Sequence, residues 1–141
     1  MASKILVAVD GSENSVRAFE RALSLAKGTG AQVTAVLVIE TPPTVYVESQ
    51  KLLDQLLQNF RKESAKVLDR YEEIAEKQGM KVESAVMEGD PASHIIAYAE
   101  KGGFDMIVMG SRGLGKFKGI VLGSTSRKVL QNAKCPVLIV K

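Results

Sequence analysis

Cysteine, histidine and tryptophan are nearly absent from this sequence of 141 residues, which contains one Cys, one His and no Trp. The lone Cys135 excludes an internal disulfide. With Pro136 next to it and no histidine or second cysteine nearby, a structural thiol is favoured over a reactive one. The lone His94 excludes a metal cluster built on histidines, and its helical context favours a surface or packing role over catalysis.

Long apolar runs are also missing, since none approaches the roughly 20 residues that a membrane helix needs. The sequence therefore predicts no membrane span. The start, Met-Ala-Ser-Lys, runs directly into an apolar stretch without a leader or cleavage site, so we expect a cytoplasmic protein. The length and an ordinary composition, 45% apolar and 25% charged, predict a single globular domain over residues 1–141.

Acidic residues are lacking in one part of the chain. Residues 106–141 contain seven of the 19 basic residues and none of the 16 acidic ones, within a net charge of +3. The positive electrostatic potential of this part of the chain favours an anionic partner, which could be the phosphates of a nucleotide or a nucleic acid. A solvated basic surface is the alternative.

Apolar runs typical of strands recur along the chain. Three are continuous, as expected for strands buried on both faces of a parallel sheet, and they cover residues 4–9, 32–39 and 106–109. Residues 80–87 alternate in polarity, which is typical of a more exposed edge strand, and residues 136–140 form a last strand.

Helical patterns lie between these runs. The first helix is predicted to be capped near Ser12 and stopped by Gly28 and Gly30. After an exposed loop over residues 42–48, an apolar stripe from residue 52 to 75 predicts a long helix. Core packing is favoured over a partner-binding groove, and the length of the helix exceeds the usual range of about 8–20 residues, so that part of it can extend past the sheet. Asp90 with Pro91 begins a third helix, and residues 124–125 begin a fourth. The alternation predicts an α/β fold with a doubly wound, mostly parallel five-stranded sheet.

Glycines are concentrated after the run 106–109, at positions 110, 113, 115, 119 and 123. A strand, a glycine-rich loop and a helix follow one another there. Glycine lets the backbone approach a ligand closely, and a helix start offers unpaired N–H groups and partial positive charge. The arrangement is suited to binding phosphate, whereas the alternative is that these glycines only form turns.

Two familiar phosphate motifs do not fit this loop. Gly110-x4-Gly115-Lys116 matches the front of a P-loop, but Phe117 stands where a hydroxyl should meet magnesium. The dinucleotide fingerprint fails because Lys118 replaces its third glycine and the loop is far from the first strand.

The spacing Gly110-x2-Gly113-x9-Gly123-Ser124 resembles the ATP-binding motif of the universal stress protein family. The resemblance extends over the whole chain, from KILVAVDGSENS to CPVLIV. It implies a Rossmann-like fold with strand order 3-2-1-4-5. In that order Asp10 and Gly110 lie side by side at the carboxyl ends of neighbouring strands, at a topological switch point.

The resemblance also implies roles for individual residues. Asp10 would contact the nucleoside, although a purely turn-forming aspartate is the alternative, and Val38 would meet adenine through its backbone. Arg112 and Lys116 are not fixed positions of the motif, and their attraction for phosphate rests on charge alone. The phosphates and ribose would be held by Gly110, Ser111, Arg112 and Gly113, with further phosphate donors from Gly123, Ser124 and Thr125.

The resulting hypothesis is a nucleotide-dependent stress-response or signalling module that binds ATP. Magnesium or manganese would be held through the phosphates, because the sequence has no dedicated carboxylate cluster. One alternative is an enzyme with at most weak ATPase activity, for which only Asp10 or Glu40 could serve as a general base. Another is a nucleic-acid-binding module using the basic C-terminal third, against which stands the lack of interleaved aromatics and of a reader motif.

The last strand predicts a homodimer. Residues 137–140 carry no charge or proline, and the implied order puts them at the sheet edge, where an unpaired apolar strand invites association. The resemblance implies that the strand 136–140 pairs antiparallel with its copy in a second subunit.

Overall fold

The structure, a computed structural model, describes residues 3–40, 50–111 and 122–141. Strands and helices alternate throughout these ranges, as the sequence predicts. The strands are β1 (Lys4–Ala8), β2 (Gln32–Ile39), β3 (Glu83–Glu88), β4 (Met106–Gly110) and β5 (Val137–Val140). The helices are α1 (Glu13–Thr29), α2 (Gln50–Lys77), α3 (Pro91–Lys101) and α4 (Ser124–Asn132). The loop predicted over residues 42–48 lies outside the described residues.

All strand pairs are parallel, and the described strands follow the order β3-β2-β1-β4-β5. The predicted fold class and strand order are confirmed. In the central strand β1, Val7 pairs with Ala35 of β2 on one side and with Val108 of β4 on the other. The carboxyl ends of β1 and β4 are therefore neighbours.

Helices cover both faces of the sheet, which explains the continuous apolar strands. Ile5 and Val7 pack on the face covered by α1 and α2, whereas Leu6 packs on the face covered by α3 and α4. All three side chains are buried. Among the described residues, none of the helices is both long and apolar enough to cross a membrane.

Helix boundaries follow their capping residues. Ser12 accepts a hydrogen bond from the Ser15 N–H at the start of α1, and Asp90 accepts one from the Ser93 N–H at the start of α3. The prediction that Gly28 stops α1 is wrong, because the helix continues to Thr29 and ends at Gly30, whose φ of 75° closes it.

Two strand predictions also require correction. The edge strand begins at Glu83 rather than at residue 80, because pairing with β2 starts at Thr34 opposite Glu83. The apolar side chains of Met80 and Val82 pack against the core ahead of the strand. The last strand begins at Val137, one residue later than predicted.

The long stripe of α2 packs on the core only in its second half. Its buried residues begin at Ser64, whereas Leu52 is 58% and Phe60 37% exposed. The 28 residues of α2 span about 42 Å, which exceeds the length of the strands beneath it. The second half of the stripe packs on the core as predicted, and its first half extends past the sheet, as the length of the stripe had suggested.

Asp105 holds the amino ends of β1 and β4 together. Its Oδ2 accepts hydrogen bonds from the Ser3 N–H and the Ser3 hydroxyl, both at 2.8 Å, and from the Lys4 N–H at 2.9 Å. The bond from the Ser3 backbone N–H, followed by the other two, lowers the pKa of Asp105.

We expect the free energy of unfolding to depend less on pH in the acid range when Asp105 is replaced in the variant Asp105→Asn. Because the folded-state pKa is lowered, the stabilisation by Asp105 is complete above the unfolded-state pKa of about 3.9 and is lost as the pH falls through the folded value. Urea unfolding at several pH values between pH 7 and pH 2 measures the free energy of unfolding of each variant. Asp69→Asn, on the exposed side of α2, is the control, and equal pH profiles for wild type and Asp105→Asn would contradict the assignment.

Candidate functional site

A cleft of about 450 Å³ lies where the order of the strands reverses, at the carboxyl ends of β1, β2 and β4. Open parallel sheets bind ligands at such switch points, and the volume is in the usual range for small-molecule sites. The apolar floor is formed by Ala8, Val36 and Met109, and the side of α3 contributes Pro91 and Ile95. Polar groups at the rim include Asp10, Glu40, Ser124 and Thr125.

Asp10 lines the cleft and also forms a turn. Its Oδ1 accepts a hydrogen bond from the Ser12 N–H at 2.9 Å, which directs the chain from β1 into α1. Both interpretations of this residue are therefore compatible with its position, because the carboxylate has a second oxygen that is not used by this bond.

A buried pair of hydroxyls supports the turn. The Ser15 Oγ accepts from the Asp10 N–H at 3.0 Å, and the Tyr71 hydroxyl accepts from the Gly11 N–H at 3.0 Å. The two hydroxyls lie 2.8 Å apart. Burial raises the pKa of Tyr71, and its hydrogen bonds with Ser15 and Gly11 act in the opposite direction. Tyr71 therefore stays protonated at neutral pH.

Val38 lines the cleft near the end of β2. The carbonyl of Val36 accepts from the Val9 N–H at 2.9 Å and so faces β1. Alternate residues of a strand direct their backbone groups to the same side, so the Val38 carbonyl faces the same way. Because β1 ends at Ala8, this carbonyl is directed towards the cleft.

The end of β4 is tied to several elements. The Ser111 N–H donates to the Val140 carbonyl at 2.9 Å, and the Ser111 carbonyl accepts from the Gly123 N–H at 2.6 Å. The Ser126 hydroxyl donates to the Gly110 carbonyl at 2.8 Å. These bonds place the start of α4 directly beside the end of β4.

Gly110 lines the cleft, but its missing side chain has a packing reason. A Cβ there would lie 2.3 Å from Asn14 Oδ1 and 3.3 Å from the Asn14 backbone carbon. The Asn14 amide donates to the Val140 carbonyl at 3.0 Å. The glycine thus lets the first turn of α1 approach β4.

The start of α4 differs from those of α1 and α3. Gly123 takes the extended cap conformation, with φ of −69° and ψ of 164°, yet it has no side chain to cap the helix. Among the described residues, the N–H groups of Ser124 and Thr125 have no acceptor, and both residues line the cleft. Open N–H groups at a helix start form an anion site.

The structure brings together most of the residues predicted from the sequence. The cleft is lined by Asp10, Val38, Gly110, Ser124 and Thr125, with Gly123 adjacent as the cap of α4. Ser111 is buried and connects β4, β5 and α4 through its backbone. Arg112, Gly113 and Lys116 lie outside the described residues.

Several residues that line the cleft or support its walls were missed by the sequence analysis. Tyr71 was counted only as part of an apolar stripe, and Asn14 had no motif. Pro91 and Ile95 were recognised as parts of a helix but not as parts of the cleft. Within the described ranges, no group of three or more His, Cys, Asp and Glu side chains could hold a metal ion.

The comparisons with known proteins agree with this fold. Residues 1–141 match the sequence model of the universal stress protein family (Usp). The chain is 36% identical over 138 residues to universal stress protein MJ0531 of Methanocaldococcus jannaschii, covering 98% of this chain and 81% of that protein. The chain therefore belongs to the universal stress protein family.

Solved structures extend the comparison. The structure of hypothetical protein MJ0577 superposes with a TM-score of 0.89 at 30% identity, covering 100% of this chain and 96% of that one. A universal stress protein solved in complex with cAMP gives a TM-score of 0.72 at 25% identity, covering 99% and 97% of the two chains.

We expect Gly110→Ala to lower the free energy of unfolding by about 1–3 kcal/mol, because the new methyl group displaces Asn14 from its bond to Val140. Urea unfolding measures the loss. Gly28→Ala, with nothing within 4 Å of the added Cβ, is the control and should be neutral or stabilising by up to about 1 kcal/mol.

The clash with Asn14 can be tested directly. In an Asn14→Ala background the clash with the side-chain amide is removed and only the contact with the residue 14 backbone remains, so Gly110→Ala should lower the free energy of unfolding clearly less there than in the wild-type background. An equal cost in both backgrounds would show that the Asn14 side chain is not the reason for this glycine.

Proposed function

We propose that this universal stress protein binds ATP in the cleft at the carboxyl edge of its sheet. The observation that carries the proposal is the start of α4, where Gly123 provides no side-chain cap and the N–H groups of Ser124 and Thr125, two residues that line the cleft, have no acceptor among the described residues. The motif spacing from Gly110 to Ser124 supports it. So does the related universal stress protein that was solved with cAMP.

The polarity of the cleft suggests how the nucleotide lies. Phosphates are expected at the start of α4, where N–H groups and the positive end of the helix dipole favour negative charge. Gly113 and Arg112 would complete this end from the loop. Adenine is expected over the end of β2, where the Val38 carbonyl can accept from an amino group, and Asp10 would contact the nucleoside.

A divalent cation belongs to the same proposal. Magnesium or manganese would be held mainly through the phosphates, since Mg²⁺ commonly binds through substrate phosphates with few protein ligands. The ion would neutralise phosphate charge, while the protein would position the nucleotide. We propose a cytoplasmic module that responds to bound nucleotide in stress or signalling, with at most weak ATP hydrolysis.

Replacing the open cap of α4 by a charged one tests the phosphate position. Gly123→Asp should cap the helix as Asp90 caps α3, leaving stability unchanged or slightly raised. The carboxylate would occupy the N–H groups and repel phosphate, so ATP should bind at least about tenfold more weakly. Titration calorimetry with Mg-ATP measures the affinity, and urea unfolding measures the stability.

Gly123→Asn is the matched control, since it caps the helix without charge. Its ATP affinity should fall less than that of Gly123→Asp, and the difference should shrink at high salt. Unchanged ATP affinity in both variants would show that the phosphates do not bind at this helix end. No binding of Mg-ATP by the wild type at millimolar concentration would contradict the proposed function itself.

We also propose a homodimer through β5, which lies at the edge of the sheet. Pro136 and Val140 direct their carbonyls to β4, where they accept from Ile107 and Ser111. Because backbone direction alternates along a strand, Leu138 also faces β4, whereas Val137 and Ile139 direct their N–H groups outwards. These outward groups can pair with a second copy of β5.

Proline substitutions separate the two sides of β5. Ile139→Pro removes an outward N–H and should give a folded monomer, whereas Leu138→Pro removes a ladder bond to β4 and should fold poorly. Light scattering should give twice the chain mass of 15.2 kDa for wild type and the single mass for Ile139→Pro. A wild type that is monomeric at micromolar concentration would contradict the pairing.

A further inference from the structure

Tyr71 connects α2 to the turn that carries Asp10, although the two residues are 61 positions apart in the chain. The side chain is completely buried, and its ring packs edge-on against Phe19 with centroids 5.1 Å apart. Only the hydroxyl is polar, and it lies at the turn, 3.0 Å from the Gly11 nitrogen and 2.8 Å from the Ser15 Oγ.

The turn depends on these contacts because its backbone is constrained. Gly11 has a φ of 87°, and a Cβ there would lie 3.3 Å from a methyl carbon of Val67, one helical turn before Tyr71. Two residues of α2 therefore border the turn. The N–H groups of Asp10 and Gly11 are both satisfied by the hydroxyl pair of Ser15 and Tyr71.

We infer that Tyr71 is a positioning residue of the nucleotide site, which holds the Asp10 carboxylate in place without touching the ligand. The inference rests on the proposed function, in which Asp10 contacts the nucleoside. Tyr71 does not line the cleft, whereas Asp10 and Ser15 do. Its influence on the ligand must therefore pass through the turn. Loss of the hydroxyl leaves the Gly11 N–H without its partner and lets the turn shift.

A double-mutant cycle between Asp10→Asn and Tyr71→Phe tests this route, with Mg-ATP affinity measured by calorimetry. Tyr71→Phe keeps the ring and should weaken binding about threefold to tenfold, as expected for one lost hydrogen bond. In the Asp10→Asn background the same substitution should change the affinity less than about twofold, because its effect passes through Asp10.

Two controls separate positioning from loss of stability. Tyr98→Phe removes a hydroxyl that has no hydrogen bond among the described residues, and it should leave affinity unchanged. Leu68→Ala creates a cavity in the same helix. It should lower the unfolding midpoint at least as much as Tyr71→Phe while leaving affinity within twofold. If Tyr71→Phe proves unstable, Ser15→Ala removes the other hydroxyl of the pair and should show the same dependence on Asp10.

The outcomes distinguish this inference from the proposed function. Suppose that the wild type binds ATP. If Tyr71→Phe binds ATP equally well, or if Tyr71→Phe lowers the affinity by the same factor with Asp10 and with Asn at position 10, then Tyr71 is not a positioning residue. The proposal that the protein binds a nucleotide is not affected by either result. Unchanged affinity in Asp10→Asn would overturn the inference in the same way. Failure of the wild type to bind ATP would overturn the proposed function as well.

Discussion

The pairing of β1 with β2 on one side and with β4 on the other is the constraint on which the site depends. Parallel strands end at the same edge, and the helices that follow β1 and β4 in the chain, α1 and α4, pack on opposite faces of the sheet. A cleft lies between the ends of the two strands. Asp10, at the end of one strand, and Gly110, at the end of the other, are brought to this cleft by backbone geometry.

Hydrogen bonds between elements then determine the shape of the cleft. Tyr71 of α2 reaches the turn after β1, while Ser126 of α4 reaches the end of β4. Each bond satisfies a backbone group that would otherwise be unpaired where a strand ends. The site is thus built from strand ends that are completed by side chains of helices, while the N–H groups of Ser124 and Thr125 at the start of α4 have no acceptor within the part of the chain that the structure describes.

Local signals in the sequence were sufficient for most of the fold. The continuous apolar runs of β1, β2 and β4 indicated strands buried on both faces, and Ser12 and Asp90 marked helix starts through their caps. The strand order and most site residues came from the resemblance to the family. The contacts of Tyr71 and the packing reason for Gly110 could not be predicted, because each depends on a partner distant in the chain. The start of β3 was misjudged since its limit is determined by pairing with β2.

The central place of β1 has a consequence for how the chain folds. Asp105 bonds to Ser3 across 102 residues of sequence, and Asn14 to Val140 across 126. Contacts between such distant segments form slowly, because a large loop must close first. During synthesis, one flank of β1 stays without its neighbour until β4 has been made. The cleft at the carboxyl ends of the strands is therefore among the last features to assemble, and a nascent chain that stops before β4 exposes an apolar strand edge to association.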